Sequence, residues 1–183
     1  VIAPAHHRRI QAGILSWGQD LDHEHNPFQC NLGYQVSLSG KGEWEKKGDY
    51  IGKQALEKMK ADLKDGHKPY KLQLVGFEIG GKPIDEYAPD FWLVSPGDGG
   101  DPCGFITSPW YHPEKGKNIA MGYIPFDGTL NPNGFPKWEL GKKFKVHLPD
   151  IYADEPGVPV DAVTVDVPFT ESFNANTREV VKG

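Results

Sequence analysis

Asp20-Leu21-Asp22-His23-Glu24-His25 gathers carboxylates around two imidazoles two residues apart, a set able to hold a transition metal. No further His or Cys pair stands at a site-like spacing, so a solvated acidic loop ahead of the Asn26-Pro27 turn is favoured and no metal is expected. His6-His7-Arg8-Arg9 is a basic patch of two kinds of donor. Arginine's planar fork suits a phosphate or carboxylate, and a plain exposed helix face explains the patch equally well. Gly97-Asp98-Gly99-Gly100-Asp101-Pro102 has the glycines of a phosphate loop without its Lys-Ser/Thr ending, and reads as a long hairpin loop. Cys103 has no CxxC partner and reads as a small buried residue. Ser108-Pro109 lacks the GxSxG frame of a nucleophile elbow. Trp110-Tyr111-His112 lies between Pro109 and Pro113 and is expected on a loop between two strands. Bulky rings there suit a flat organic ligand or a partner domain, or else plug the end of their own barrel. None of these groups forms a general acid/base pair or a nucleophile with its base. The residues alone describe a binding or lid domain.

The elements that would carry these groups come in two styles. Ala5 to Leu15 is rich in helix formers, with Ile10 and Ile14 at helical spacing and Gly18 as a breaker. Leu32 to Ser39 alternates as a strand, followed by a charged loop over 40–48. Tyr50 to Leu63 is the clearest helix: Ile51, Leu56, Met59 and Leu63 recur at helical intervals, and Asp49 stands where an N-cap would. Beyond residue 70 the pattern turns to short strands: Lys71 to Ile79, Trp92 to Ser95, Phe105 to Thr107, Ile119 to Ile124, Lys143 to His147 and Ala162 to Val167. Gly/Pro-rich turns separate them, which predicts an antiparallel barrel or sandwich. The fold class is α+β, with a boundary near residue 68. Residues 1–67 form a mixed segment and 68–183 an all-β domain.

Composition narrows the function classes. A chain of 183 residues suits one large domain or two small ones, and buries roughly two thirds of its surface on folding. Mean hydropathy is −0.54, and no apolar run approaches the ~18 residues of a membrane span. The net charge of −5 and a pI near 5.8 argue against nucleic acid as a partner. Cys30 and Cys103 are expected as free thiols in a reducing cytoplasm. No charged-then-apolar leader opens the chain, and no initiator Met does, so the native start is expected upstream.

Several strings, in one order, resemble a single family. Arg9-Ile-Gln-Ala-Gly-Ile-Leu-Ser-Trp-Gly-Gln-Asp20 is similar to the RLEAGL-x-x-Y-G-x-D stretch of the glycine-cleavage T-protein (aminomethyltransferase) superfamily. Asn26 to Tyr34 resembles its TPLEAGLGW, and Asp49 to Leu56 its DFIGREAL. Leu72 to Gly76 resembles the RLVG opening the C-terminal barrel, Gly104 to Ser108 the GxVTS string, Gly116 to Pro125 the GKGIALAYVP string, and Val167-Pro168-Phe169 the closing LPF. Each string alone is weak; seven in order over nearly the whole chain are specific.

The resemblance implies tetrahydrofolate as cofactor and one-carbon transfer as chemistry. It implies that residues 1–67 end the central folate-binding region, with a linker helix, and that 68–183 form the C-terminal barrel. The N-terminal portion of the same enzyme, with the catalytic aspartate, becomes a partner of this chain, so its own catalytic residues stay unassigned. Two departures count against aminomethyl-lipoyl chemistry: Ala5 stands where the family has a ligand-holding Arg, and no Tyr follows Phe169. Ile2 to His6, Leu15 to Gly18 and Asn26 to Phe28 look closer to the demethylase branch, and the long loops and tail to its aryl methyl ether enzymes. The implied reaction moves a methyl group from a small methylated donor, a methoxy-aromatic acid such as vanillate or syringate, to tetrahydrofolate. Dimethylsulfoniopropionate demethylation, aminomethyl transfer, and a non-catalytic folate-binding or assembly module are the alternatives. Sarcosine- or dimethylglycine-oxidising systems share these motifs too. Arg9 is then expected to orient the central region by an ion pair or by touching a carboxylate. Trp17 takes the family's Tyr position, where core packing is the commoner role, and Trp110 and Tyr111 cap the folate or substrate opening.

Overall fold

The computed structural model describes residues 6–38 and 50–169. Among them are helix α1 (His6–Gln11), a 3-10 turn at Gly33–Gln35, helix α2 (Lys53–Lys64) and six strands. The strands are β1 (Leu72–Ile79), β2 (Trp92–Pro96), β3 (Gly104–His112), β4 (Lys117–Pro125), β5 (Lys143–Val146) and β6 (Val160–Val165). They close into a barrel in the order β1-β4-β3-β2-β5-β6. Closure removes the unpaired strand edges that an open sheet would expose. Of the two all-β forms expected, the barrel is therefore the one adopted.

Each of the six strands expected beyond residue 70 exists, with boundaries moved by a few residues. The largest change is β3, which runs on to His112 and pairs with β4 through Trp110↔Ile119, Tyr111↔Asn118 and His112↔Lys117. Trp110, Tyr111 and His112 thus lie on a strand, not on the loop expected from the flanking prolines. Pro109 is accommodated beside the register shift between Ile106 and Ser108, where the ladder is interrupted. Within β1, residues 73–77 are all buried.

Leu32 to Ser39 does not form the expected strand. Gly33–Gln35 is a 3-10 turn, the chain through Leu38 is irregular, and Ser39 lies outside the described residues. Helix α2 starts at Lys53, with Gly52 as its N-cap at φ 90°, a left-handed backbone that glycine enters freely. Asp49, Ala5, the charged loop over 40–48 and the chain after Phe169 lie outside the described residues.

Contacts divide the chain into two compact units. One contains residues 6–22, 74–124 and 139–169, and here it is called the barrel unit. Its interior is apolar: Leu74, Phe77, Val94, Ile106, Ile119, Met121 and Val146 are all essentially inaccessible. Phe77 meets Phe144 edge-on at 5.9 Å. Burying each such side chain contributes about 1.5–3 kcal/mol. Buried Asn118 ties down the irregular turn after β1: its Oδ1 accepts from Ile84 N (3.0 Å) and its Nδ2 donates to Lys82 O (2.9 Å). The other unit, residues 23–38, 50–73 and 125–138, is the aromatic unit. Its core is Phe28, Leu63, Tyr70 and Phe126, with Leu56 and Met59 of α2 packed against it. Ile51 takes no part in that face and is fully exposed.

Candidate functional site

Arg9 lies on α1, and its guanidinium turns into the barrel unit. Its Nη1 donates to Asp20 Oδ2 (2.8 Å) and Ile14 O (3.2 Å). Its Nη2 donates to Ser108 Oγ (2.8 Å) and Gln19 Oε1 (3.0 Å), and its Nε reaches His6 Nδ1 at 3.4 Å. A guanidinium has five N–H donors in a fixed fork, and here each has an acceptor within the chain. Arg9 is therefore an anchoring residue whose expected ion pair is with Asp20.

Asp20 has no exposed side-chain surface. Its carboxylate accepts from Arg9, from Ser16 N (2.8 Å) and from the hydroxyls of Thr107 and Ser108. Four donors fill the lone-pair positions of a carboxylate, the condition under which a buried charge is tolerated. Tyr123 adds a bond from its hydroxyl to Asp20 O (2.7 Å). Gln19 Nε2 closes the ring by donating to Thr107 O (2.7 Å). Thr107 and Ser108 sit at the irregularity of β3, where the displaced register brings two consecutive hydroxyls onto the same carboxylate oxygen. Removing one partner of such a pair leaves an uncompensated buried charge, at a cost of about 3–5 kcal/mol.

Around the latch stands a group of rings. His6 lies 4.8 Å from Tyr87 and 6.4 Å from Trp110, nearly parallel to the latter, and His7 lies 6.2 Å from Trp110. Partial burial and the neighbouring Arg9 charge hold the His6 imidazole below its usual pKa. Tyr87 is half exposed, and Trp110 is partly buried. Together these present π faces and polar edges on one surface. Tyr111, next along β3, is held by its backbone N–H to Ile84 O at 2.7 Å.

The structure thus brings Arg9 and Trp110 near one another through His6, and places Tyr111 beside Trp110. Trp17 is elsewhere in character: it is 69% exposed, so core packing does not account for it. The turn holding it is fixed by Gly18 N to Leu21 O at 2.8 Å. Among the described residues no three His, Cys, Asp or Glu side chains converge as a metal site, and Asp20 is fully occupied by its donors. Cys103 is partly buried, not fully, and burial raises its thiol pKa. Residue types and spacing give Gln19 and Thr107 no role, offer Asp20 only as a possible metal ligand and set Ser108 aside as a nucleophile. Their signal was present, because each lies within or at the end of a string resembling the family: Arg9 to Asp20, and Gly104 to Ser108.

A small closed antiparallel barrel carrying a buried arginine–carboxylate latch is the class that fold and site define. Comparison with known proteins takes the identification further. No family model matches the chain. It is 32% identical over 117 residues to an aminomethyltransferase of Synechocystis, covering 64% of this chain and 27% of that protein. It is 29% identical over 162 residues to an aminomethyltransferase of Thermosynechococcus vestitus, covering 88% of this chain and 35% of that protein. The crystal structure of the glycine cleavage system aminomethyltransferase T from Bartonella henselae shares the fold, with a TM-score of 0.60 at 20% identity over 89% of this chain and 37% of that one. The chain spans about a third of the length of the relatives it matches. The chain is thus similar in sequence to part of two aminomethyltransferases and in fold to part of a third, and these likenesses do not distinguish branches. No helix among the described residues is long and apolar enough to cross a membrane.

Proposed function

We propose that this chain is the C-terminal part of a cytoplasmic, tetrahydrofolate-dependent demethylase. It would act with the N-terminal portion of the same enzyme, residues 1–67 ending the central folate-binding region and 68–183 forming the C-terminal domain. The reaction moves a methyl group from a small methylated donor to N5 of tetrahydrofolate, and methoxy-aromatic acids of the vanillate or syringate type are the favoured donors. The relatives' family uses tetrahydrofolate as substrate or cofactor. The observation that carries the reading is the latch: Arg9, Asp20, Thr107 and Ser108, drawn from two family-like strings distant in sequence, meet in one buried network.

The fit to a folate rests on the ring surface beside that latch. His6, Tyr87 and Trp110 offer faces on which a flat pterin or benzoyl ring stacks, each such contact being worth about 0.5–1.5 kcal/mol beyond the area it buries. Tetrahydrofolate supplies the nucleophilic nitrogen that takes up the one-carbon unit. This chain's part is positioning, which lowers the barrier by fixing donor and acceptor in line. Arg9 holds α1 and its rings against β3, Trp110 and Tyr111 cap the folate or substrate opening, and exposed Trp17 faces the cleft. An aryl ether leaves as a phenol only with a proton from a general acid. That acid is assigned to the N-terminal portion.

The test is methyl transfer to tetrahydrofolate from vanillate, syringate and dimethylsulfoniopropionate, run in parallel on the native polypeptide that contains this chain. N5-methylated folate from the methoxy acids supports the reading, and turnover of the sulfonium alone moves the assignment to that donor. Failure with all three removes demethylation and leaves aminomethyl transfer, the activity in the relatives' names, or a binding module. Tyr111→Ala raises the apparent folate constant; unchanged kinetics take Tyr111 out of the site.

A further inference from the structure

The aromatic unit contains a cavity that the latch and its ring surface do not involve. Its volume is about 180 Å³. An apolar cavity of about 150 Å³ is enough to take benzene. Phe28, Tyr34, Phe135 and Trp138 line it, so it is walled largely by rings. Phe28 and Phe135 are near-parallel with centroids 6.3 Å apart. Gly33 makes this possible: a Cβ there would lie 2.8 Å from both of those rings. The rim is open to water, with Tyr34 71% exposed.

Asn31 also lines the cavity, its Oδ1 engaged as acceptor by Gln73 Nε2, and two further side chains there can donate. Asn131 Oδ1 accepts from Asn133 N (2.9 Å) and Phe135 N (3.1 Å), which fixes the amide and leaves Nδ2 a donor without a partner among the described residues. Tyr34 Oη accepts from Gln35 Nε2 (3.0 Å), leaving its O–H free to donate. Both offer protons to a bound molecule. Among the described residues no acidic side chain lines the cavity. Two lysines of α2 flank it instead: Lys60 Nζ is 4.9 Å from the Phe135 centroid, and the Lys64 stem runs close to Gly134.

We infer that this cavity is a binding site for a single-ring aromatic molecule bearing an acceptor group at its edge, carboxylate ahead of carboxamide. Ring stacking selects planarity, the two donors select an acceptor, and the lysines select negative over positive charge. The inference does not depend on the folate reading, and its readout is binding alone.

The experiment titrates the full chain with benzoate, benzamide, benzylamine and cyclohexanecarboxylate, following tryptophan fluorescence and the amide NMR signals of residues 131–138. Benzoate and benzamide are expected to saturate at millimolar concentration or below. Benzylamine and cyclohexanecarboxylate should bind at least about tenfold more weakly, a difference of about 1.4 kcal/mol. Tyr34→Ala, at an exposed position, should weaken benzoate while leaving the fold intact, and Phe135→Leu should weaken it further. Absence of saturable binding by benzoate and benzamide overturns the proposal. Equal binding of all four compounds, or benzoate binding unmoved in both variants, overturns it as well.

Discussion

The barrel unit and the aromatic unit solve the same problem with different chemistry. Each must hold a few ring side chains in place. The barrel unit does so with a buried charge: Asp20 gathers a guanidinium, a backbone N–H and two hydroxyls, and the rings of His6 and Trp110 stand on the helix and strand so joined. The aromatic unit does so with contact: Phe28 stacks on Phe135, Tyr70 on Phe126, and Gly33 is small enough to let the rings close. A charge network is specific in direction and fails abruptly when one member is lost. Ring packing is forgiving in direction and sensitive to volume.

That contrast can be broken most directly at Asp20. Asp20→Ala is expected to destabilise the barrel unit by about 3 kcal/mol, measured by urea denaturation, because a partly buried Arg9 loses its counter-charge and the hydroxyls of Thr107 and Ser108 lose their acceptor. A loss below 1 kcal/mol would mean the network is ornamental. Ser108→Ala removes one hydroxyl from the same carboxylate and from Arg9, and should cost about 1.5–3 kcal/mol, as hydrogen bonds to charged groups do. Gly33→Ala probes the other unit by volume: the new methyl must displace Phe28 or Phe135, with an expected loss of about 1–3 kcal/mol and reduced benzoate binding.

A smaller effect is expected from alkali. Burial foremost, with the nearby Cys30 second, raises the Tyr70 phenol well above its usual pKa, and its O–H donates to Gln73 Oε1. The folded state therefore keeps a proton that the unfolded chain releases near pH 10. The resulting stability is complete below that pH and declines as pH climbs toward the folded value. Ultraviolet difference titration should show Tyr70 ionising well above the ordinary phenol range, and ionisation near pH 10 would contradict its burial. The smallest effect belongs to Trp17→Ala. At an exposed position it should change stability by no more than about 0.5 kcal/mol, while methyl transfer by the native polypeptide falls if Trp17 faces the cleft.

The strands were legible in advance for a simple reason. Alternation in Lys71 to Ile79 or Ala162 to Val167, bounded by Gly and Pro, is a local property of the chain. The failures share a cause as well. Leu32 to Ser39 alternates, yet Gly33 is pressed between two rings of its own unit, a tertiary demand that strand pairing does not meet. Trp110 to His112 looked like a loop because prolines flank it, but the β3 irregularity near Pro109 lets the ladder with β4 resume. The sequence marks Arg9 as a partner for a carboxylate and Asp20, eleven residues on, only as a possible metal ligand, because sequence does not reveal which way a carboxylate turns.

The residues themselves therefore determined helix α2 and the presence of six strands beyond residue 70, that the β-rich part is an antiparallel barrel or sandwich, and which strings resemble those of the aminomethyltransferases. Those properties depend on local periodicity, turn chemistry and residue order. Only the folded chain decided which charges meet. The two hydroxyl donors to Asp20 and the ring cavity of the other unit depend on distances between segments far apart in sequence. Such distances are set by barrel closure and side-chain packing, and no local pattern encodes them.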